Sequence, residues 1–215
     1  MPSPLSPQTG PANVHQSVQA YIRAGVSAFH IEDQTQQKRC GHLSNKQLVP
    51  TATFTTRIRA AVAARHAAHS PIVLIARTDA LASLGYDAAL ARLQAARSAG
   101  ADVGFLEGVV DEAMMGRVVR ELAPWPVLLN MVEAGLTPTV SVRRAREIGF
   151  RVVIWPFAGL TSAIVAMREA YAGLKKTGLV PGAKMAPKEI FELCGLEEWV
   201  RIDGEAGGDD FRGGV

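Results

Sequence analysis

Phe29-His30-Ile31-Glu32-Asp33-Gln34, running on into Lys38-Arg39-Cys40-Gly41-His42-Leu43, decides how the rest of the chain is read. An apolar run with the length of a short buried strand stops at two carboxylates, and a thiol then sits among two cations and a histidine. Positive charge beside a cysteine favours the thiolate, its reactive form. Gly41 lets the backbone turn tightly or approach a ligand. A cysteine in a polar loop is by itself ordinary; strand-end carboxylates and an electropositive thiol within one loop point to chemistry.

Outward from this stretch the same pattern repeats. Asn13 can cap a helix with Val14, Val18, Tyr21 and Ile22 on one face, stopped by Gly25. A strand is predicted over 27–31 and an Ala- and Arg-rich helix over 55–68. Strand 71–76 runs into Arg77-Thr78-Asp79, helix 87–99 is closed by Gly100, and strand 103–106 ends at Glu107. Asp111 opens a helix to Leu122, strand 126–129 leads to Asn130 and Glu133, and Thr137-Pro138 starts a helix that Gly149 ends. Strand 151–155 and helices over 161–176 and 187–200 complete the set.

Short apolar strands alternating with helices mean an α/β fold with a parallel sheet, because parallel neighbours need a crossover and both sheet faces are then covered. Glu32/Asp33, Arg77/Asp79, Glu107 and Asn130 all fall at C-terminal strand ends. That distribution suits a (β/α)8 barrel, whose site is assembled from many strand tips on one face. A dinucleotide-binding sheet would show a Gly-rich turn after its first strand, and none is present. A barrel needs eight strands and five are found, so the expected fold is an incomplete (β/α)8 TIM barrel.

The 215 residues, 48% hydrophobic and 20% charged, are enough for a real core. The expected organisation is a disordered arm over 1–12, with Pro at 2, 4, 7 and 11, a partial-barrel catalytic domain over 13–203 and a Gly-rich flexible tail over 204–215. Net charge is only +3, and Lys and Arg are scattered among acids without interleaved aromatics, which gives nucleic-acid binding no support. No apolar tract reaches the length of a membrane span. Two cysteines, Cys40 and Cys194, are too few for a disulfide framework and fit a reducing compartment. With no signal peptide visible, a cytoplasmic location is expected, a mitochondrial one staying open if the true N-terminus lies upstream.

The run His30-Ile31-Glu32-Asp33-Gln34 with Lys38-Arg39-Cys40-Gly41-His42 resembles the signature loop of the isocitrate lyase and phosphoenolpyruvate mutase superfamily, and most closely its methylisocitrate lyase-like branch. The similarity begins near Thr9-Gly10, matching the end of the third strand of the family barrel, which implies an N-terminal truncation that removes about the first three βα units. It implies a magnesium (or manganese) ion, weakened or lost if the truncation is real, with Glu32 and Glu107 around it. It further implies Arg77, Asn130, Gly41 and Glu133 on the substrate, Lys38 and His42 as positive charge at a loop that closes, and Cys40 as the acid/base. Asp33 and, as an alternative to touching substrate, Glu133 are expected to support these groups, and Asp79 only to orient Arg77.

The implied chemistry is cleavage of a carbon–carbon bond in a 2-hydroxy di- or tricarboxylate resembling 2-methylisocitrate, giving a 2-oxo acid and a second carboxylate. The mutases resemble this chain less here, since their loop lacks the cysteine. An oxaloacetate-type hydrolase or another phosphoenolpyruvate/pyruvate-family enzyme is the alternative, and a non-catalytic truncated homologue with open sheet edges the other. Full-length relatives imply a homo-oligomer. The chain departs from the family in having no aspartates before Thr9 and no arginine in Pro156-Phe157-Ala158-Gly159-Leu160-Thr161. Cys194, Trp125, Trp155 and Trp199 read as packing residues, and His66 and His69 as the solvated end of a helix.

Overall fold

The computed structural model describes residues 10–40, 45–182, 185–209 and 211. It divides into two compact units, Met1–Ala158 and Gly159–Val215.

In the first unit the order is α1 (Pro11–Arg23), β1 (Ala28–Glu32), α2 (Thr51–Ala67), β2 (Val73–Thr78), α3 (Leu81–Leu84), α4 (Tyr86–Ser98), β3 (Val103–Leu106), α5 (Glu112–Leu122), β4 (Val127–Asn130), α6 (Val142–Ile148) and β5 (Val152–Ile154). The five strands form one parallel sheet in the order β1-β2-β3-β4-β5. Each strand lies beside the next in sequence, with no reversal of order. A doubly wound sheet would show a switch point there, so the arrangement is an arc of a barrel, a five-strand half-barrel sheet.

The register shows which side chains share a face. Glu32 pairs with Arg77, Arg77 with Phe105 and Phe105 with Leu128. Because side chains alternate along a strand, one face carries the cluster Ile75, Val103, Phe105 and Leu128, flanked by Val73 and Ile154. The other face carries Ile31, Leu74, Ala76, Leu106, Val127 and Leu129, which pack with helix residues such as Val18, Phe54, Ile58, Leu93, Met115 and Val118. Gly104 on β3 has a packing reason: a Cβ there would come within 2.6 Å of the Trp125 ring, whose Nε1 donates to the Ala101 carbonyl at 3.0 Å.

Helix boundaries follow local chemistry. Asp111 caps α5 as expected, accepting from the Met114 N–H at 2.7 Å. Gly149 ends α6 in the left-handed region, with φ of 114°. Three expectations are corrected. Helix α1 starts at Pro11, inside the stretch read as a loose arm, because proline's fixed φ suits a first helical turn. Helix α6 starts at Val142 and not at Thr137, because Ser141 Oγ accepts from the Arg144 N–H at 3.1 Å and caps it. The single helix expected over 187–200 is two.

In the second unit these are α8 (Pro187–Leu193) and α9 (Leu196–Glu205), broken at Gly195 with φ of 89°, and they follow α7 (Ala158–Thr177). Helix α9 runs past Gly204, where the tail was placed. None of the three helices buries a residue. Cys194 and Trp199, read as packing residues, are accordingly exposed. Among the described residues no helix is long and apolar enough to cross a membrane.

Candidate active site

The strand-tip residues meet on the barrel-inside face. Glu32 closes β1, Arg77 lies one residue before the end of β2, Glu107 follows β3 and Asn130 closes β4. With Lys38, Arg39, Cys40, His30, Val132, Ile154, Pro156 and Phe157 they line one cleft of about 450 Å3, excepting Glu32, which lies beneath it, buried against Lys38 and Arg77. That volume suits a small-molecule ligand.

Arg77 is the hub. Its Nε and Nη2 form a two-pronged pair with Asp79, at 3.0 and 3.1 Å. Its Nε also lies 3.2 Å from Glu32 Oε2, its Nη1 3.6 Å from Glu107 Oε2, and its guanidinium 5.0 Å from the centre of the Phe105 ring. Burial works against its charge, yet Asp79, Glu107 and Glu32 outweigh that and raise its pKa further, so it stays cationic. Glu32 is fully buried and is also paired with Lys38 at 3.0 Å, whose amine remains half in solvent. Asn130 Nδ2 donates to Glu107 Oε2 at 3.2 Å, leaving Asn130 Oδ1 buried without a hydrogen-bond partner.

Asp79, expected only to orient Arg77, holds more than that. Lys46 sits 3.3 Å from its Oδ1 with a side chain only 4% exposed. Burial alone would raise the Asp79 pKa; the hydrogen bond and charge of Arg77, a hydrogen bond from Gln34 and the charge of Lys46 together bring it below the ordinary aspartate value. Lys46 carried no signal in the sequence. His30 did: it stands two residues before Glu32, hence on the same face. Its ring lies edge-on to Phe105 with centroids 6.1 Å apart. Although one side of it is open to solvent, the packing around the ring, and then the Arg77 charge, lower its pKa.

Asp33 belongs to a different cluster. Its carboxylate accepts from Thr78 Oγ1 at 2.6 Å, the Asp79 N–H at 2.9 Å and Arg92 Nη1 at 3.1 Å, on the helix-facing side of the sheet. Glu133 is exposed in the loop after β4 and does not line the cleft. Gly41 and His42 lie outside the described residues.

Among the described residues no three His, Cys, Asp or Glu side chains come together to hold a metal ion. Glu32 and Glu107 are each engaged by Arg77. They suit a supporting place beside a divalent ion and do not by themselves make its direct ligand set.

The profile of the phosphoenolpyruvate phosphomutase family matches residues 8–175. The 2-methylisocitrate lyase of Salmonella typhimurium is 39% identical over 166 residues, covering 77% of this chain and 55% of that protein. Among solved structures, that of a 2,3-dimethylmalate lyase has a TM-score of 0.94 and 54% identity, covering 96% of this chain and 69% of that one. An oxaloacetate acetylhydrolase bound to 3,3-difluorooxalacetate has a TM-score of 0.93 and 46% identity, with 96% and 70% covered. The chain spans 55–64% of the length of the curated relatives it matches first. It is a member of the phosphoenolpyruvate mutase and isocitrate lyase superfamily.

Proposed function

We propose that the site serves a carbon–carbon lyase acting on a 2-hydroxy di- or tricarboxylate of the 2-methylisocitrate type. The observation that carries this reading is the convergence of Lys38, Cys40, Arg77, Glu107 and Asn130 on one cleft. Arg77 presents a planar guanidinium suited to a carboxylate. The unpartnered Oδ1 of Asn130 suits a substrate hydroxyl. As the bond between C2 and C3 breaks, the hydroxyl proton passes to water in the cleft, C2 becomes the carbonyl of a 2-oxo acid and the electron pair passes to an enolate-like carboxylate. The cationic surroundings from Arg77 and Lys38 stabilise that charge, and the Cys40 thiol delivers a proton to the carbon.

A magnesium ion, which the superfamily generally uses, would supply a further positive centre for the developing charge. Glu32 and Glu107 would stand beside it. Gly41 and His42 belong to the proposed substrate side of the Cys40 loop, and Glu133, exposed outside the cleft, to a supporting role.

The test is turnover of 2-methylisocitrate, 2,3-dimethylmalate and oxaloacetate by the chain and its Cys40→Ser variant, with magnesium present. Cleavage of a hydroxy acid lowered at least a hundredfold in the variant is expected; equal turnover by both removes Cys40 from the mechanism. Turnover of oxaloacetate alone would favour the hydrolase reading, which the 46% identity to an oxaloacetate acetylhydrolase motivates. Absence of both turnover and magnesium binding by calorimetry would favour a non-catalytic homologue.

A further inference from the structure

One fully buried polar side chain next to the site has no part in the chemistry above. Gln34 has no exposed surface, and a buried amide must satisfy two donors and an acceptor. Here both ends of the amide are used on the loop. Gln34 Nε2 donates to the Arg39 carbonyl at 3.0 Å, and Gln34 Oε1 accepts from the Arg39 N–H at 2.9 Å. The amide also lies close enough to the Asp79 carboxylate to favour its charged form. Reversing the amide would set donor against donor and acceptor against acceptor at Arg39, so the network itself fixes its orientation.

This clamp lies where the loop is anchored. The Thr35 N–H donates to the Gln47 carbonyl at 2.9 Å and the Val49 N–H to the Asp33 carbonyl at 2.8 Å, while Gln34 faces Leu48 in an antiparallel bridge. The Gln34 carbonyl accepts from Arg57 Nη1 at 2.9 Å. The returning limb is held by Lys46 on Asp79. The two limbs of the loop are therefore held side by side, Gln34 on the main chain of Arg39 immediately before Cys40 and Lys46 on Asp79 beside Arg77.

We propose that Gln34 is a positioning residue for Cys40, its amide clamping both main-chain polar groups of Arg39, the residue immediately before it. That Cys40 is the group being positioned for catalysis rests on the lyase reading; the clamp does not. The sequence suggests nothing of it, because a glutamine after two carboxylates looks like one more polar loop residue.

Amide hydrogen exchange of Arg39, followed by NMR on the full chain, reads the clamp without reference to turnover. Arg39 is exposed, so its N–H should exchange at the rate of a free peptide unless Gln34 holds it. Protection of at least about tenfold over that rate is expected; an unprotected amide overturns the proposal. Two variants separate hydrogen bonding from packing, with circular dichroism checking that each is folded. Gln34→Leu fills the same space without polar atoms, whereas Gln34→Glu keeps the acceptor for the Arg39 N–H but sets a carboxylate near Asp79. The clamp requires protection to fall about tenfold in Gln34→Leu and by clearly less in Gln34→Glu, which keeps the acceptor for the Arg39 N–H but sets an oxygen against the Arg39 carbonyl. A packing role requires the opposite ranking, and that result would sink the proposal. If Arg39 is protected but no substrate is cleaved, the lyase reading fails and the clamp stands.

Discussion

Glu32 and Asp33 are neighbours in the chain, both are fully buried, and both meet an arginine, yet they belong to different regions of the molecule. Glu32 ends β1 on the barrel-inside face, under a cleft, and its partners Arg77 and Lys38 are shared or partly in solvent. Asp33 points to the helix side, where Thr78, the Asp79 N–H and Arg92 occupy its oxygens and Arg92 also donates to the Val49 carbonyl at 3.0 Å. The alternation of a strand separates them. What differs is completeness: the Asp33 cluster is closed on itself, whereas the Glu32 cluster leaves Arg77 facing a cavity and Asn130 Oδ1 without a partner. A closed buried ion pair is costly to break from one side, and an open one can take a ligand.

The largest effect should come from breaking the closed cluster. Asp33→Ala removes three hydrogen bonds and leaves Arg92, 9% exposed, without its counter-charge. Removing one partner of a buried pair costs about 3–5 kcal/mol, so urea denaturation should show a loss of that size. Glu32→Gln keeps the shape and should cost far less, because Arg77 retains Asp79 and Glu107. Equal losses in the two variants would erase the distinction.

The next effect sharpens it from the other side. Arg77→Lys keeps the charge but loses the fork. Titration calorimetry with oxalate and magnesium should show affinity reduced by about 1.5–3 kcal/mol, the worth of hydrogen bonds to a charged group. Arg92→Lys should lower stability and leave the oxalate affinity of the folded protein as it was. An unchanged affinity in Arg77→Lys would mean the open cluster is structural as well.

The tips of the strands were legible in the sequence because each apolar run ends abruptly at Glu32, Arg77, Glu107 or Asn130, and that regularity requires a parallel sheet with its site at one end. The two faces were not. Strands buried on both sides lack polar alternation, so nothing in Phe29-His30-Ile31-Glu32-Asp33 marks Asp33 as facing the helices except counting by twos. The same counting would have put His30 in the cleft. Lys46 and Arg92 were illegible for another reason: their partners Asp79 and Asp33 lie 33 and 59 residues away, and only the folded register brings them together. Cys194 was misread because an apolar helix face implies a covering surface, and α8 buries no residue.

The smallest effect is in the pH dependence, where the two buried aspartates just after β1 and β2 should act in opposite directions. Asp79 is held below the ordinary aspartate pKa by Arg77, Gln34 and Lys46 against the pull of burial. Its folded form therefore binds a proton less readily than the unfolded chain. The stability it contributes is fully present above the unfolded value of about 3.9 and is lost as pH falls through the lower folded value. Asp33 is the reverse: burial raises its pKa despite the bonds from Thr78 and the Asp79 N–H and the charge of Arg92. The folded form binds the proton more tightly, so its contribution grows as pH falls through the folded value towards the unfolded one. Denaturation curves from pH 7 to pH 3 for the chain, Asp79→Asn and Asp33→Asn measure each contribution by difference. The gap to Asp79→Asn should close only at the acid end, and the gap to Asp33→Asn should move in favour of the unsubstituted chain on acidification. Parallel curves would mean that the closed and open clusters hold their carboxylates in the same electrostatic state, and the contrast between them would reduce to geometry.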